Sequence, residues 1–282
     1  MPALGRIRAV LADEARAVQA LADQVHDQAA TLEAVVARIV SSCGEHLPGR
    51  LIATGVGKAG FVARKIAATF ASTGTPSLFV HPTEARHGDL GMIRADDVVL
   101  AFSNSGASEE VTTLIPSLRH IGCAVVAIVG DAASPLSRLA DQTLVIGRVT
   151  EACPLGLAPS TSTTVMLALG DALALATLEA RDFTPERYAR FHPGGALGRR
   201  LMTCAEAMRG PDRMAIARPG ATIAEAMRLI SQSRTGSVVL VDGDGRMSGV
   251  FTDGDLRRKL LATDDPAALL HQPVAGHATT PG

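Results

Sequence analysis

Between Leu51 and Ile146 the chain alternates short apolar runs with helical stretches, and this alternation constrains its fold more than any other feature. The runs are Leu51 to Thr54, Ser77 to Val80, Val98 to Phe102, Ala124 to Val129 and Thr143 to Ile146. Helices are expected over Lys58 to Ser72, over Glu109 to Ile121 and briefly after Ser134. Short apolar strands linked by crossover helices assemble into a parallel sheet covered on both faces. The expected fold is α/β, a doubly wound, five-stranded parallel sheet of flavodoxin-like or Rossmann-like type. Ligands of such sheets sit at the carboxyl ends of the strands, where loops feed helix N-termini.

The flanks read differently. From Ile7 to about Ser42 apolar residues recur three and four apart (Val18, Leu21, Val25; Leu32, Val35, Val36, Ile39), the spacing of one helix face, and Gly44 and Pro48 close the pattern. After Leu201 come a helix, a short extended piece and a helix from Ile223 to Ser231. Two strands, Ser237 to Val241 and Met247 to Thr252, follow around the turn Asp242-Gly243-Asp244-Gly245, then a closing helix from Gly254 to Leu261. The expected plan is an N-terminal helical segment over 1–48 packing on a sheet domain over 49–202, and a small α+β module over 203–263. Residues 264–282 then read as the start of an incomplete second copy of that module.

Composition removes several classes of function. Lys and Arg number 27 against 28 Asp and Glu, a formal charge of -1, so no field exists to hold nucleic acid or an anionic membrane. With no Trp, one Tyr and seven Phe, surfaces for stacking bases are hard to build. Cys43, Cys123, Cys153 and Cys204 are scattered, which speaks for reduced thiols and against a zinc knuckle or a disulfide framework. The N-terminus carries acidic residues where a signal peptide needs an unbroken apolar run. The apolar stretch from Thr164 to Ala180 is interrupted by Asp171 and fits a core helix. The expected protein is cytoplasmic, with no nucleic-acid or membrane partner.

Three strand ends lead into polar loops. In the first, Thr54-Gly55-Val56-Gly57-Lys58-Ala59-Gly60, glycines let the backbone approach a ligand and Lys58 opens a helix. It lacks the spacing of a P-loop and falls short of a dinucleotide fingerprint, and a plain tight turn explains it equally well. The second, Ser103-Asn104-Ser105-Gly106-Ala107-Ser108-Glu109-Glu110, gathers three serine hydroxyls before a helix, where unsatisfied amides and the helix dipole favour a phosphate. An N-cap at Ser108 with Glu109 and Glu110 compensating the dipole is the plain alternative; it leaves Ser103 and Ser105 idle. The third loop begins at Glu151 and ends in Ser160, Thr161, Ser162, Thr163 and Thr164. Such a hydroxyl run offers a second set of donors, or is loop and cap only.

The strings GVGKAG, HPTEARHGDLGM, SNSGASEE, EACPLGLAPSTSTT and FHPGGALGRRL, in this order, resemble the arabinose 5-phosphate isomerase family, whose core is a sugar isomerase (SIS) domain. The likeness runs over roughly residues 5 to 202, and 204–262 resemble a first CBS motif ending in GVFTDGDLRR, with 264–282 as the start of a second. It implies reversible conversion of D-ribulose 5-phosphate and D-arabinose 5-phosphate, the first step of Kdo biosynthesis for lipopolysaccharide, without a cofactor. It also implies a homotetramer.

By the resemblance, Lys58, Glu110, Glu151 and His192 fall on active-site positions, and His87 on a histidine near the site. Gly57, Ser103, Asn104, Ser105 and Ser108, supported by Ser160, Thr161, Ser162 and Thr163, are expected at the substrate and its phosphate. An aldose and a ketose interconvert through an enediol, which needs a base, a group stabilising the enediolate oxygen and a grip on the phosphate. Glu151 is expected as the base, Lys58 as the oxyanion stabiliser, and His192 or Glu110 as the carrier of protons between the two oxygens. Alternatives for the four are a solvated lysine, a dipole-compensating acid, an exposed loop acid and a packing histidine.

Beyond the last sheet helix, His192 is expected to reach a neighbouring subunit's site. His81, His87 and His192, with Glu84 and Asp89, offer an adventitious metal site, where by the resemblance zinc would inhibit, with no metal required for turnover; the stronger alternative is that His81 ends a strand before Pro82 and His87-Gly88-Asp89 is loop chemistry around the sugar. Ala107 departs from the family, whose loops commonly carry Glu there. In the C-terminal module Thr252 and Asp255 are expected at a nucleotide or CMP-Kdo ligand. The competing functions are a phosphosugar-sensing regulator that binds without isomerising, and isomerisation of another sugar phosphate.

Overall fold

The computed structural model describes residues 3–192, 200 and 202–280, and the chain divides into two compact units, Met1–Leu201 and Met202–Gly282. In the first unit five parallel strands run in the order β2-β1-β3-β4-β5: β1 (Leu51–Gly55), β2 (Ser77–Phe79), β3 (Val98–Ser103), β4 (Ala124–Val129) and β5 (Gln142–Val145). The expected doubly wound, five-stranded sheet is the observed one. Alternate residues of each strand serve opposite faces, as a period of two requires. Leu51, Leu100, Phe102 and Ile128 join one core with α1 (Ala3–Gln24), α2 (Ala29–Ser42), α3 (Gly57–Ser72) and α8 (Thr161–Glu179). Ile52, Val99, Ala101 and Ala127 join the other, under α4 (Pro82–Arg86), α5 (Glu109–Thr112), α6 (Ile115–Ile121) and α7 (Pro135–Leu139).

Two departures from the sequence reading have local causes. The helix expected from Glu109 to Ile121 breaks between α5 and α6, because Pro116 has no N–H to give the carbonyl of Thr112. The helical pattern from Ile7 to Ser42 breaks at a 3-10 turn, Val25–Gln28. There the Gln28 amide donates to the Val145 carbonyl (2.9 Å) and accepts from its N–H (3.0 Å), so one side chain covers the open edge of β5. The long apolar helix is α8. Half its most apolar stretch is buried, and its Asp171 forms an ion pair with Lys65 of α3.

The second unit holds a three-stranded sheet in the order β6-β7-β8: β6 (Ile216–Ala217), β7 (Ser237–Val241) and β8 (Met247–Thr252). The β7–β8 hairpin turns on Asp242, whose Oδ1 accepts from the N–H groups of Asp244 and Arg246, both at 2.9 Å. Its helices are α10 (Cys204–Ala207), α11 (Ile223–Ser233), α12 (Asp253–Leu261) and α13 (Pro266–Leu270), after α9 (Pro185–Arg190) of the first unit. Residues beyond Asp264 are part of this unit's fabric. Leu269 and Val274 lie in its core, and Thr279 exchanges two backbone hydrogen bonds of 2.8 Å with Val250 on β8.

Candidate active site

In the order 2-1-3-4-5 the connections leave β1 and β3 toward opposite faces, which opens a crevice at their carboxyl ends. The first two expected loops leave these two strands, and the pairing of Gly55 with Phe102 sets them side by side. The first loop corrects the sequence reading. Gly55, Gly57 and Gly60 do have G-x-G-x-x-G spacing and lie between a strand and a helix. Gly57 has φ +57°, and a Cβ on Gly60 would lie 2.5 Å from the Gly55 carbonyl oxygen, so helix and strand approach as only glycine allows. A dinucleotide does not follow, since β2 ends at Phe79, runs on into Val80-His81 and offers no carboxylate there for a ribose. Lys58, in the first turn of α3, is exposed and has no hydrogen-bond partner among the described residues.

In the second loop the Ser103 hydroxyl, buried at the end of β3, pairs with that of Ser108 at 3.0 Å. Ser108 occupies the N-cap position of α5 yet gives its side chain to Ser103 and not to the helix. A capping role for that hydroxyl is thereby excluded in this conformation. Ser105 accepts from the Ala107 N–H at 3.2 Å, and Asn104, Ser105 and Glu110 are exposed. Gly106 has φ +60° and packs against Ser134, fixing the loop on α7.

The third loop is arranged differently from the expectation. The Glu151 carboxylate accepts from the N–H groups of Ser160 (2.8 Å), Thr161 (2.9 Å) and Ser162 (3.5 Å), all through Oε2. The amides that open α8 thus already hold an anion, supplied by the protein itself. Two of the hydroxyls are committed as well, Thr161 accepting from the Ala152 N–H (3.0 Å) and Thr163 donating to the Ser160 carbonyl (2.8 Å), while that of Ser162 is fully buried and has no partner among the described residues. Of the four, Ser160 alone keeps a hydroxyl that is partly exposed and unpaired among the described residues. Glu151 Oε1 likewise has no hydrogen-bond partner among those residues. A cleft of about 390 Å³ between α1 and residues 146–151 has Glu151 in its wall, with Arg16, Gln24 and Arg148.

His81 accepts at Nδ1 from the Thr83 N–H (3.3 Å) as the cap of α4, and His87 is exposed at the end of that helix. His192 lies past α9, and Pro193 to Arg199 of the FHPGGALGRRL string, with Leu201, lie outside the described residues. Among the described residues no three His, Cys, Asp or Glu side chains are grouped to hold a metal, so His81, His87 and His192 do not gather within one chain. No hydrogen bond among those residues joins the Glu151 loop or His192 to the crevice between β1 and β3.

Two features escaped the sequence reading. One is the Glu151 cap, whose only signal is an acid nine residues ahead of a hydroxyl run. The other is Thr54, buried at the end of β1 with an unpartnered hydroxyl directly before the first loop. In the second unit Thr252 and Asp255 satisfy each other: the Thr252 hydroxyl donates to Asp255 Oδ2 (2.8 Å) and accepts from the Asp255 N–H (3.1 Å). Both groups named for a nucleotide are spent on the start of α12.

Comparison with known proteins places these loops in context. The SIS domain family model matches residues 48–176 and the CBS domain model residues 211–262. An arabinose 5-phosphate isomerase, KdsD, of Pseudomonas aeruginosa is 51% identical over 213 residues, which are 75% of this chain and 65% of that protein. KdsD of Escherichia coli K12 is 49% identical over 211 residues, 74% of this chain and 64% of its own length. The chain thus spans somewhat under two thirds of these relatives. A solved Escherichia coli CFT073 protein in complex with arabinose 5-phosphate superposes with a TM-score of 0.62 at 42% identity, covering 67% of this chain and 97% of that one.

Proposed function

This chain belongs to the arabinose 5-phosphate isomerase family, and on that footing we propose that it interconverts D-ribulose 5-phosphate and D-arabinose 5-phosphate through an enediol. The observation that carries the reading is the meeting of the Gly57-Lys58 turn and the Ser103–Ser108 loop at the switch point of the sheet, with the paired hydroxyls of Ser103 and Ser108 withheld from helix capping. Ser103, Ser105 and Ser108 take the phosphate with the loop amides, and Gly57 and Asn104 lie against the sugar. The Ser160–Thr163 run supports them through Ser160, since the hydroxyls of Thr161 and Thr163 are engaged and that of Ser162 is buried.

Glu151 is the base. Its Oε2 is held by the start of α8, which orients the carboxylate, and Oε1 takes the proton from the carbon beside the carbonyl and returns it to the neighbouring carbon. Lys58 stabilises the oxygen on which charge develops. His192 or Glu110 moves the remaining proton between the two oxygens, His192 from a neighbouring subunit, with His87 at the rim. The chain is read as a cytoplasmic homotetramer; exposed Leu4, Ile7 and Leu11 at helical spacing on α1, and Phe61 on α3, are the kind of apolar surface that subunits cover, which supports association.

The C-terminal module is read as regulatory, a nucleotide or CMP-Kdo being its class of ligand, with 264–282 as the start of a second motif. Binding at Thr252 and Asp255 has to open their mutual hydrogen bonds. The deciding measurement is a coupled assay on purified protein with ribulose 5-phosphate and a panel of hexose 6-phosphates. Turnover of the pentose phosphate with specificity over the hexoses is expected. Binding without turnover of any of them assigns the chain to sensing.

A further inference from the structure

His192 and Tyr188 stand four residues apart at the end of α9, and their rings stack with centroids 4.0 Å apart and planes 10° from parallel. The stack is built on a capped turn. Thr184 caps the helix by accepting from the Arg187 N–H, Pro185 occupies the first turn, and the Tyr188 N–H donates to the Thr184 carbonyl at 3.0 Å. Tyr188 also lines a shallow, mostly apolar surface pocket together with Leu178, Phe183 and Pro185. The second contact concerns the proton. His192 Nδ1 lies 2.9 Å from the Tyr188 carbonyl oxygen, an atom that only accepts, so Nδ1 carries hydrogen and donates. The neutral ring then has its lone pair on Nε2, pointing away from the helix end.

We propose that Tyr188 is a positioning residue for the isomerisation: its ring fixes the plane of His192 and its carbonyl fixes the tautomer, so that Nε2 alone exchanges protons with the sugar oxygens. This deepens the proposed function and rests on the assignment of His192 to proton transfer. A ring free to rotate would divide its time between two nitrogens and several planes, and misplacement of a proton carrier by a fraction of a bond length costs rate more than binding. The phenol oxygen has no part in either contact, so phenylalanine suffices at this position.

Tyr188→Leu is expected to lower kcat about tenfold or more with KM within about twofold, whereas Tyr188→Phe stays near the parent enzyme. In the His192→Gln background, Tyr188→Leu adds nothing further. Nitrogen-15 NMR of the histidine-labelled chain, with the His192 signals assigned by difference against His192→Gln, reports the Nδ1–H tautomer. Tyr188 is the sole tyrosine in a chain without tryptophan, so tyrosine emission reports this stack alone and changes on His192→Gln. An Nε2–H tautomer, or an equal loss of kcat from Tyr188→Leu with and without His192, overturns the positioning role and leaves the isomerase reading standing. Full activity of His192→Gln instead removes His192 from the chemistry, and the proposal with it.

Discussion

The helix starts of the second unit differ from those at the candidate site of the first. In the second unit α10, α11 and α12 each begin with a complete capping box, Thr203 with Glu206, Thr222 with Glu225 and Thr252 with Asp255. In the first unit the helices that open at the candidate site, α3, α5 and α8, have no side-chain cap from their own N-cap residue. The same unit caps α4, α7 and α9, through His81, Ser134 and Thr184, and leaves α2 and α6 without a side-chain cap as well, so uncapped starts include those at the site without being confined to it. Free amides at a helix start are unsatisfied donors with a favourable field for an anion. Where the protein keeps them for itself the gain is stability; where it leaves them open, a ligand can collect it. At α8 a remote carboxylate, Glu151, supplies the anion, and this is the residue on which the comparison turns.

Glu151→Gln gives the largest expected effect. As the base, Glu151 contributes about 10²- to 10⁴-fold in rate, and the amide cannot accept the proton. Its carbonyl still accepts from Ser160 and Thr161, so the melting temperature is expected to fall only slightly. Steady-state kinetics beside thermal melts separate the two roles: a lower melting temperature with unchanged kcat makes Glu151 a helix cap only. The base would then have to be Glu110 or His192.

A matched pair of hydroxyl deletions sharpens the contrast at smaller scale. Thr252→Ala removes a cap and is expected to cost about 1 kcal/mol of stability, read from denaturant unfolding, with no change in turnover. Ser108→Ala removes no cap but leaves the buried Ser103 hydroxyl without its partner, so a stability cost of about 1 kcal/mol is expected here too, and kinetics rather than stability sets this variant apart. Its loss appears as a KM for the sugar phosphate raised about tenfold, the worth of one hydrogen bond to a charged group. An unchanged KM in Ser108→Ala would leave the Ser103–Ser108 pair a structural contact with no part in holding the phosphate.

Legibility followed the range of the interactions. Strands were visible because both faces of the sheet are buried and the apolar runs are unbroken; the run from Ala124 to Val129 is β4 to the residue. The division of Glu109–Ile121 was available in Pro116, whose missing N–H is a local fact. What could not be read were pairings across the chain. Gln28 reaches Val145 over 117 residues, and nothing near Gln28 announces it. Glu151 reaches the amides of residues 160–162, so a run that looked open to phosphate is closed from within. Thr252 and Asp255 illustrate the converse: a threonine followed three residues later by an acid is as much a capping signature as a ligand motif, and without ligand the cap forms.

The smallest effect tests the boxes themselves. Hydrogen bonds from the amide and hydroxyl of Thr203 and Thr222 hold the carboxyls of Glu206 and Glu225 below their ordinary values. Partial burial raises that of Asp255, and the bonds from Thr252 and Arg258 outweigh it, so it too is lowered. A carboxyl whose folded value is lowered binds its proton less readily than in the unfolded chain, so the unfolded state takes up more protons as acid is added. The stabilisation is complete above the ordinary carboxylate range and is lost as pH falls through the folded values. Amide exchange at 203–206, 222–225 and 252–255, corrected for the intrinsic rate, is therefore expected to accelerate between about pH 5 and pH 3. The first turn of α3 holds no acid, and its amides are expected to show no such change over the same range. Replacing Thr222 by Ala removes the acid sensitivity at 222–225 and leaves it at 252–255, because each box closes on its own helix. Equal acid responses in α3 and in the boxes would mean that the charge of the whole chain, and not the caps, governs opening at these helix starts.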